Sequence, residues 1–164
     1  MLLDEISSQT KVFIDSNIFI YHFLDVSESC TNFLERVERG YIDAYTSNTV
    51  LSEVMHRLMV AEVVEKYDVK PKGAIRFIKD NPEIIRTLEK CEDAIVKIPQ
   101  FGVKILLVTV ESIFQSRELR KRYLLMTNDS LNLHVMRSNQ LYDIATNDGD
   151  FERVEEVSVW KPVW

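Results

Sequence analysis

Four carboxylates are the side chains of this sequence best suited to chemistry: Asp15, Glu53, Asp129 and Asp148. They come from four separate segments, and the pattern of strands and helices brings all four to one edge of a sheet. Carboxylates gathered together repel and raise one another's pKa, a cost that a divalent cation removes. All-oxygen ligands suit Mg²⁺ or Mn²⁺, and such ions activate water and orient a phosphodiester. The four acids therefore indicate metal-dependent hydrolysis of a phosphate ester.

Each acid taken alone also fits a structural role. Asp15 could cap the helix that follows its strand, and Asp129 is a natural cap or first-turn residue. Glu53 could pair with Arg57 four residues later on a helix surface. Asp148 could belong to a plain turn. The indication of a site comes from the combination of the four positions.

Two predicted strands carry the first and last of these acids at their carboxyl ends. Residues 11–15 are apolar on consecutive positions, as in a sheet covered on both faces, and they end in the first acid. Residues 142–146 form another strand just before Asp148. Ligands of parallel α/β sheets bind beyond the carboxyl ends of the strands, where the following helices begin. We therefore expect Asp129 and Glu53, near the starts of two predicted helices, at the same edge.

The other predicted elements alternate between strands and helices. Further strands are expected at residues 41–46, 103–109 and 157–160, and helices at 27–39, 48–67, 111–123 and after 128. Ser27 and Asn48 are the expected caps of two of these helices, and Gly40 is the expected stop of the first. The alternation predicts a single α/β domain over residues 1–164, with three α/β/α layers around a central, mostly parallel sheet.

A segment between the predicted strands does not fit this alternation. Residues 68–99 are helical in composition but are interrupted by Pro71, Pro82 and Pro99. Prolines within a helical pattern break or kink the helix. The segment is therefore predicted to be a helical hairpin, inserted into the α/β domain or covering it as a lid.

The composition is that of an ordinary globular protein, with 46% hydrophobic and 28% charged residues among 164. No apolar stretch is long enough to span a bilayer, and the first residues lack the pattern of a signal peptide. Cys30 and Cys91 form no CxxC motif, so free thiols and a cytoplasmic location are expected. The net charge of −6 argues against broad electrostatic binding to nucleic acid, although a bound cation would offset part of it.

Several other side chains have both a functional and a structural interpretation. His56 lies three residues after Glu53 and could point towards the acids, but a core or surface position is favoured. The basic run 117–122 is favoured as a solvated helix face over a patch that contacts phosphates. Four aromatic residues are expected in the core or at a dimer interface: Tyr21, Phe23, Phe33 and Phe114.

Four segments, in order, resemble the motifs of the PIN-domain family. They are the first strand with its Asp-x-Asn at 12–17 (VFIDSN), the acid-bearing helix at 49–54 (TVLSEV), the helix start at 127–131 (TNDSL) and the final segment at 145–151 (ATNDGDF). Together these motifs extend over nearly the whole chain. The resemblance implies a PIN fold and Mg²⁺- or Mn²⁺-dependent cleavage of RNA.

The resemblance also implies roles for single residues. The catalytic acids would be Asp15, Glu53, Asp129 and Asp148. All of them except Glu53 would coordinate the catalytic cation, and Glu53 would bind a second ion or orient the attacking water. The supporting residues would be Asn17, Thr146 and Asp150.

Many small PIN proteins resemble the VapC toxins, which form dimers and are silenced by an antitoxin protein. The resemblance therefore implies a homodimer with RNA as substrate and an antitoxin as partner, although residues 65–100 make this chain longer than is usual there. Two alternatives remain open. A degenerate PIN scaffold would bind RNA or protein without cutting it. A phosphatase of the haloacid-dehalogenase type would need an aspartate where Asn17 stands.

Overall fold

Five short strands form the centre of the fold in the computed structural model, which describes residues 1–164. They are β1 (Lys11–Ile14), β2 (Asp43–Ser47), β3 (Lys104–Leu106), β4 (Asp143–Ala145) and β5 (Ser158–Trp160). All pair in parallel, in the order β3-β2-β1-β4-β5. The central strand β1 buries Val12, Phe13 and Ile14 completely, as a strand covered on both faces must. The predicted parallel α/β sheet is confirmed.

The register of the sheet places the ends of β1 and β4 side by side. Ile14 pairs with Ala145, and the backbone N–H of Asp15 donates to the carbonyl of Ala145 at 3.0 Å. Because the two strands are parallel, the next residues along each chain, Asp15 and Thr146, leave the sheet at the same edge.

Seven α-helices flank the sheet. They are α1 (Ser16–Phe23), α2 (Glu28–Glu38), α3 (Asn48–Tyr67), α4 (Ala74–Asp80), α5 (Lys90–Gln100), α6 (Val110–Tyr123) and α7 (Thr127–Ser138). Helix α1 follows directly after the first strand and buries three apolar side chains, Ile18, Phe19 and Ile20. None of the helices combines the length and the apolar character that crossing a bilayer requires.

Two predicted caps have different outcomes. Ser27 caps α2, since its hydroxyl accepts from the backbone N–H of Cys30 at 3.3 Å. Asn48 does not cap α3, and this prediction is wrong. The cap is Ser47, whose hydroxyl accepts from Val50 N at 3.2 Å. The side chain of Asn48 instead accepts from the backbone N–H of Val108 at 2.8 Å, which is a contact between segments distant in sequence.

The predicted strand at 103–109 is shorter in the structure, because its last residues serve the next helix. Thr109 caps α6, and its hydroxyl accepts from Ser112 N at 3.3 Å. Ser112 in turn accepts from the backbone N–H of Thr109 at 3.2 Å. This reciprocal capping turns the chain away from the sheet, so β3 keeps only Lys104–Leu106.

The insertion is helical, as predicted. Pro71 and Pro82 each begin a short 3-10 helix, while Pro99 lies within the last turn of α5 without ending it. Helix α5 packs against α3. At this contact the carboxylate of Glu62 accepts from the backbone N–H groups of Glu89 at 2.9 Å and Cys91 at 3.1 Å. The insertion is thus fastened to α3 by a helix cap from a distant residue.

Candidate active site

Asp15 stands at the junction of β1 and α1, and only 6% of its surface is exposed. Its Oδ1 accepts from the backbone N–H of Ser16 at 2.7 Å, so the residue caps α1. The structural role considered for Asp15 is therefore real. It leaves the second carboxylate oxygen to be positioned by other side chains.

Asn17 and Thr146 position that second oxygen. Oδ2 of Asp15 accepts from the hydroxyl of Thr146 at 2.7 Å and from the amide of Asn17 at 2.8 Å. The same hydroxyl accepts from the backbone N–H of Asp148 at 3.0 Å. Thr146 is fully buried. Because its hydroxyl bonds both Asp15 and Asp148, it fixes the positions of these two acids relative to each other.

Asp148 begins the turn that follows β4. Its Oδ1 accepts from the backbone N–H of Asp150 at 2.8 Å and caps a short 3-10 helix over Gly149–Arg153. The preceding Asn147 donates its backbone N–H to the side-chain oxygen of Asn17 at 2.9 Å. The turn considered as a structural alternative for Asp148 is thus present, and hydrogen bonds hold it against the start of α1.

Glu53 and Asp129 reach the site from α3 and α7. Glu53 lies in the second turn of its helix and Asp129 in the first turn. A buried polar contact holds these helices together, since the hydroxyl of Ser47 donates to the side-chain oxygen of Asn132 at 2.8 Å. Asn132 lies one turn after Asp129, so this contact sets the position of both acids.

The four acids line one pocket of about 180 Å³, which also includes Ser16, Asn17, Ile20 and Arg57. His56 is exposed and does not line this pocket, so it occupies the second of the two expected positions, core or surface. The basic run on α6 does not line it either. Within that run, Arg120 donates to the hydroxyl of Ser130 at 3.3 Å.

The electrostatics of the pocket disfavour negative charge. Burial and the neighbouring carboxylates raise the pKa of Asp129 from 3.8 to about 6. Burial also raises the pKa of Asp15. The hydrogen bonds from Thr146 and Ser16 oppose that rise, whereas the charges of Glu53 and Asp148 add to it. The protein itself leaves these charges uncompensated, which is the condition a bound cation would relieve.

Three of the acids are close enough to share one metal ion. Asp129, Asp148 and Asp150 each offer an oxygen, and these oxygens lie within 4.8 Å of one another. Hard divalent cations take such carboxylate oxygens. Asp150, expected only in an auxiliary part, belongs to this group, although its Oδ1 also pairs with Arg153 at 2.9 Å.

Two side chains of this region are not among the predicted site residues. Arg57 lines the acid pocket and forms no ion pair with Glu53 within 4.0 Å. Its spacing of four residues from Glu53 is the available signal, although the same spacing also fits an ion pair on a helix surface. Asn132, three residues after Asp129, shares its helix face, but its partner Ser47 could only be found in the fold.

The fold and the acid pocket define a PIN domain. A sequence model of the PIN domain family matches residues 12–157, and the chain belongs to this family. It is 31% identical to Ribonuclease VapC2 of Methanocaldococcus jannaschii over 153 residues, which are 92% of this chain and 93% of the relative. It is 25% identical to Ribonuclease VapC6 of the same organism over 159 residues, covering 94% and 99%.

Solved structures agree on the fold. VapBC2 from Rickettsia felis, bound to a DNA fragment from its promoter, superposes with a TM-score of 0.60 at 17% identity, covering 94% of this chain and all of that one. VapC20 of Mycobacterium tuberculosis, a toxin that cleaves the sarcin-ricin loop, gives 0.57 at 18% identity, covering 88% and 95%.

Proposed function

We propose that this chain is a Mg²⁺- or Mn²⁺-dependent endoribonuclease that hydrolyses RNA phosphodiester bonds. The observation that carries the proposal is the convergence of Asp15, Glu53, Asp129 and Asp148 on one pocket. The two relatives named as ribonucleases support RNA as the substrate.

The acids have distinct tasks in this proposal. Asp15, Asp129 and Asp148 would hold the catalytic cation, directly or through water, with Asp150 close to the last two. Glu53 would orient the attacking water or hold a second cation. The bound cation would supply charge neutralisation and a more acidic water. Thr146 and Asn17 keep the Asp15 carboxylate in one orientation, so less reorganisation is needed when the phosphodiester arrives.

The substitution Asp15→Asn tests this function. An amide keeps the shape of the side chain and an oxygen that can accept from Ser16 N, so the fold should survive. We expect cleavage of a fluorescent single-stranded RNA with Mn²⁺ to fall by at least about a hundredfold. Asp93→Asn, in the exposed first turn of α5, is the matched control and should cleave normally. Undiminished cleavage by Asp15→Asn would contradict the proposed endoribonuclease function of the acid pocket.

The alternative of a degenerate, non-cutting scaffold is favoured by one observation, the net charge of −6. Such a scaffold would show neither cleavage nor a cation site that depends on the acid pocket. The phosphatase alternative has no support in the geometry. The side-chain amide of Asn17 donates to Asp15, and it offers no carboxyl group for acid–base work.

We also propose that the chain acts as the toxin of a toxin–antitoxin pair. Two solved structures with a similar fold are those of VapBC2 and of a toxin–antitoxin complex from Klebsiella pneumoniae, the latter with a TM-score of 0.55. A small reading frame beside this one, with a DNA-binding amino-terminal part, is the expected antitoxin. Co-expression and co-purification of the two products would test it, and a frame whose product does not bind would argue against the pair.

A homodimer is the proposed assembly. Helix α6 and the residues before it expose large apolar side chains, with Leu107 70%, Val110 69% and Phe114 69% exposed. A patch of this kind on a small protein marks an interaction surface. Light scattering should give about twice the chain mass of 19.2 kDa, and a mass equal to one chain would contradict the dimer.

A further inference from the structure

An apolar groove adjoins the acid pocket. It has a volume of about 330 Å³. Its apolar walls consist of Ile20, Leu24, Val60, Ala61, Val64 and Pro71. Ile20 and Arg57 line both the groove and the acid pocket. A ligand held in one of the two cavities can therefore extend into the other.

Three elements build this apolar groove. Leu24, at the end of α1, forms an exposed rim. Val60 and Val64 lie one turn apart on α3 and form the floor. Pro71, at the start of the insertion, closes the side. Glu65 stands at the groove and is held by an ion pair with Lys90 of α5 at 2.7 Å. The insertion thus takes part in the wall of a cavity next to the acids.

Arg57 stands where the two cavities meet. It is exposed, and it is the one basic residue among those lining the acid pocket. No carboxylate lies within ion-pair distance of it. A guanidinium group donates in a fork that matches the two free oxygens of a phosphate. An unpaired arginine beside a cluster of acids therefore has an anionic ligand as its natural partner.

We propose that the apolar groove binds one unpaired base of a single-stranded RNA, and that Arg57 binds the phosphate between that base and the acid pocket. The inference rests on the proposed function. In RNA each phosphodiester joins two nucleosides, so a phosphate at the acids brings one of the two bases within reach of the adjoining groove. The faces of a base are apolar, and a base becomes available only where it is unstacked and unpaired.

The charge of the chain favours such a base site. A net charge of −6 gives little general attraction for the RNA backbone. Affinity then depends more on local contacts, and the groove offers a largely apolar surface that adjoins the acid pocket at Ile20 and Arg57. The insertion acquires a role, since Pro71 and the Lys90–Glu65 pair shape the base site without touching the acid pocket.

The test uses two matched variants and an altered substrate. Leu24→Glu places a charge on the groove rim, where the side chain is 44% exposed, and Val96→Glu places one on α5, where the side chain is 60% exposed and outside the groove. The substrate is a single-stranded oligoribonucleotide that the wild type cuts at one linkage. Two further copies carry an abasic ribose on the 5′ or the 3′ side of that linkage.

One of the two abasic positions should lower kcat/KM about tenfold for the wild type and for Val96→Glu. For Leu24→Glu, an abasic ribose at the same position should lower kcat/KM by less than about twofold, because that variant has already lost the base contact. On the intact RNA, Leu24→Glu should raise KM about tenfold with little change in kcat. Arg57→Gln should weaken cleavage of intact and abasic RNA equally, since its partner is a phosphate.

Other results overturn the inference. If the abasic positions affect the wild type and Leu24→Glu alike, the groove holds no base, while cleavage itself leaves the proposed function standing. If Leu24→Glu changes only the mass in light scattering, the groove is a contact between copies of the chain. If the wild type cuts no RNA, the proposed function fails. Fluorescence anisotropy of the same oligonucleotides then decides: equal binding of intact and abasic RNA overturns the base site, and weaker abasic binding supports it.

Discussion

Two carboxylates of this protein expose the same small fraction of their surface, but their pKa values are shifted in opposite directions. Asp15 and Glu62 are each 6% exposed. Burial raises the pKa of Asp15, and the charges of Glu53 and Asp148 raise it further. Burial also raises the pKa of Glu62, but the backbone N–H groups that it caps outweigh this effect, so the pKa lies below its usual value.

Asp15 lies deeper in the protein than Glu62, and the two carboxylates also differ in the groups that surround them. The Glu62 carboxylate receives backbone N–H groups at the start of α5, where the helix dipole also favours a negative charge. The protein satisfies this carboxylate by itself, and its role is to attach the insertion. Asp15 has donors too, but its charged neighbours are acids. Both acids accept from the first residues of a helix, so capping does not distinguish them. A buried acid whose charged neighbours are other acids, as at Asp15, is a candidate for a functional site.

The largest effect expected on stability comes from Glu62→Gln. The amide keeps the shape but turns one acceptor into a donor that faces backbone N–H groups, and it removes the charge. We expect the free energy of unfolding in urea at pH 7 to fall by about 2 kcal/mol. RNA cleavage per folded molecule should stay within about twofold of the wild type. A loss of cleavage without a loss of stability would break the comparison between the two carboxylates.

A smaller effect is expected when the support of Asp15 is removed. Thr146→Val deletes the hydroxyl that bonds Asp15 and Asp148, and cleavage should fall about tenfold, as for one lost hydrogen bond to a charged group. Thr46→Val is the matched control, because its buried hydroxyl donates to the backbone carbonyl of Ile14. It should lose similar stability while its folded molecules cleave normally. Equal losses of cleavage in both variants would mean that Thr146 acts only on the fold.

The smallest effect is a gain in stability. The pKa of Asp129 is raised from 3.8 to about 6, so the folded protein binds its proton more tightly than the unfolded chain. In the absence of metal this contribution is complete below pH 4 and is lost as the pH rises through 6. The free energy of unfolding of Asp129→Asn at pH 7 should therefore be about 1 kcal/mol higher than that of the wild type. This value is reduced to allow for the partial solvent exposure of Asp129. Urea unfolding at pH 4 and pH 7, both in chelator, measures it.

The exposed acid Asp93, also in the first turn of its helix, supplies the control for that gain. Asp93→Asn should change the stability by less than about 0.5 kcal/mol, and in the unfavourable direction, because it removes a charge that suits the helix dipole. If Asp129→Asn destabilises the metal-free protein at pH 7, the acid pocket does not carry the repulsion inferred for it.

The same comparison shows how much the sequence could predict. The acids at strand ends can be predicted from the sequence, because apolar runs locate β1 and β4 and a parallel sheet gathers their ends. The role of Glu62 cannot be predicted in this way, since a glutamate in a helical pattern looks like a surface residue until α5 is packed against it. The wrong prediction of Asn48 instead of Ser47 as the cap of α3 has a similar cause. Both residues can cap, and the choice depends on Val108, sixty positions along the chain.

Calorimetric titration with Mn²⁺ tests the central claim most directly, because it measures the acid pocket without depending on the identity of the RNA. The wild type and Glu62→Gln should show saturable binding at the same affinity, whereas Asp15→Asn and Asp148→Asn should each weaken it at least about tenfold. Binding that survives in both acid-pocket variants, or no saturable binding in the wild type, would contradict the account.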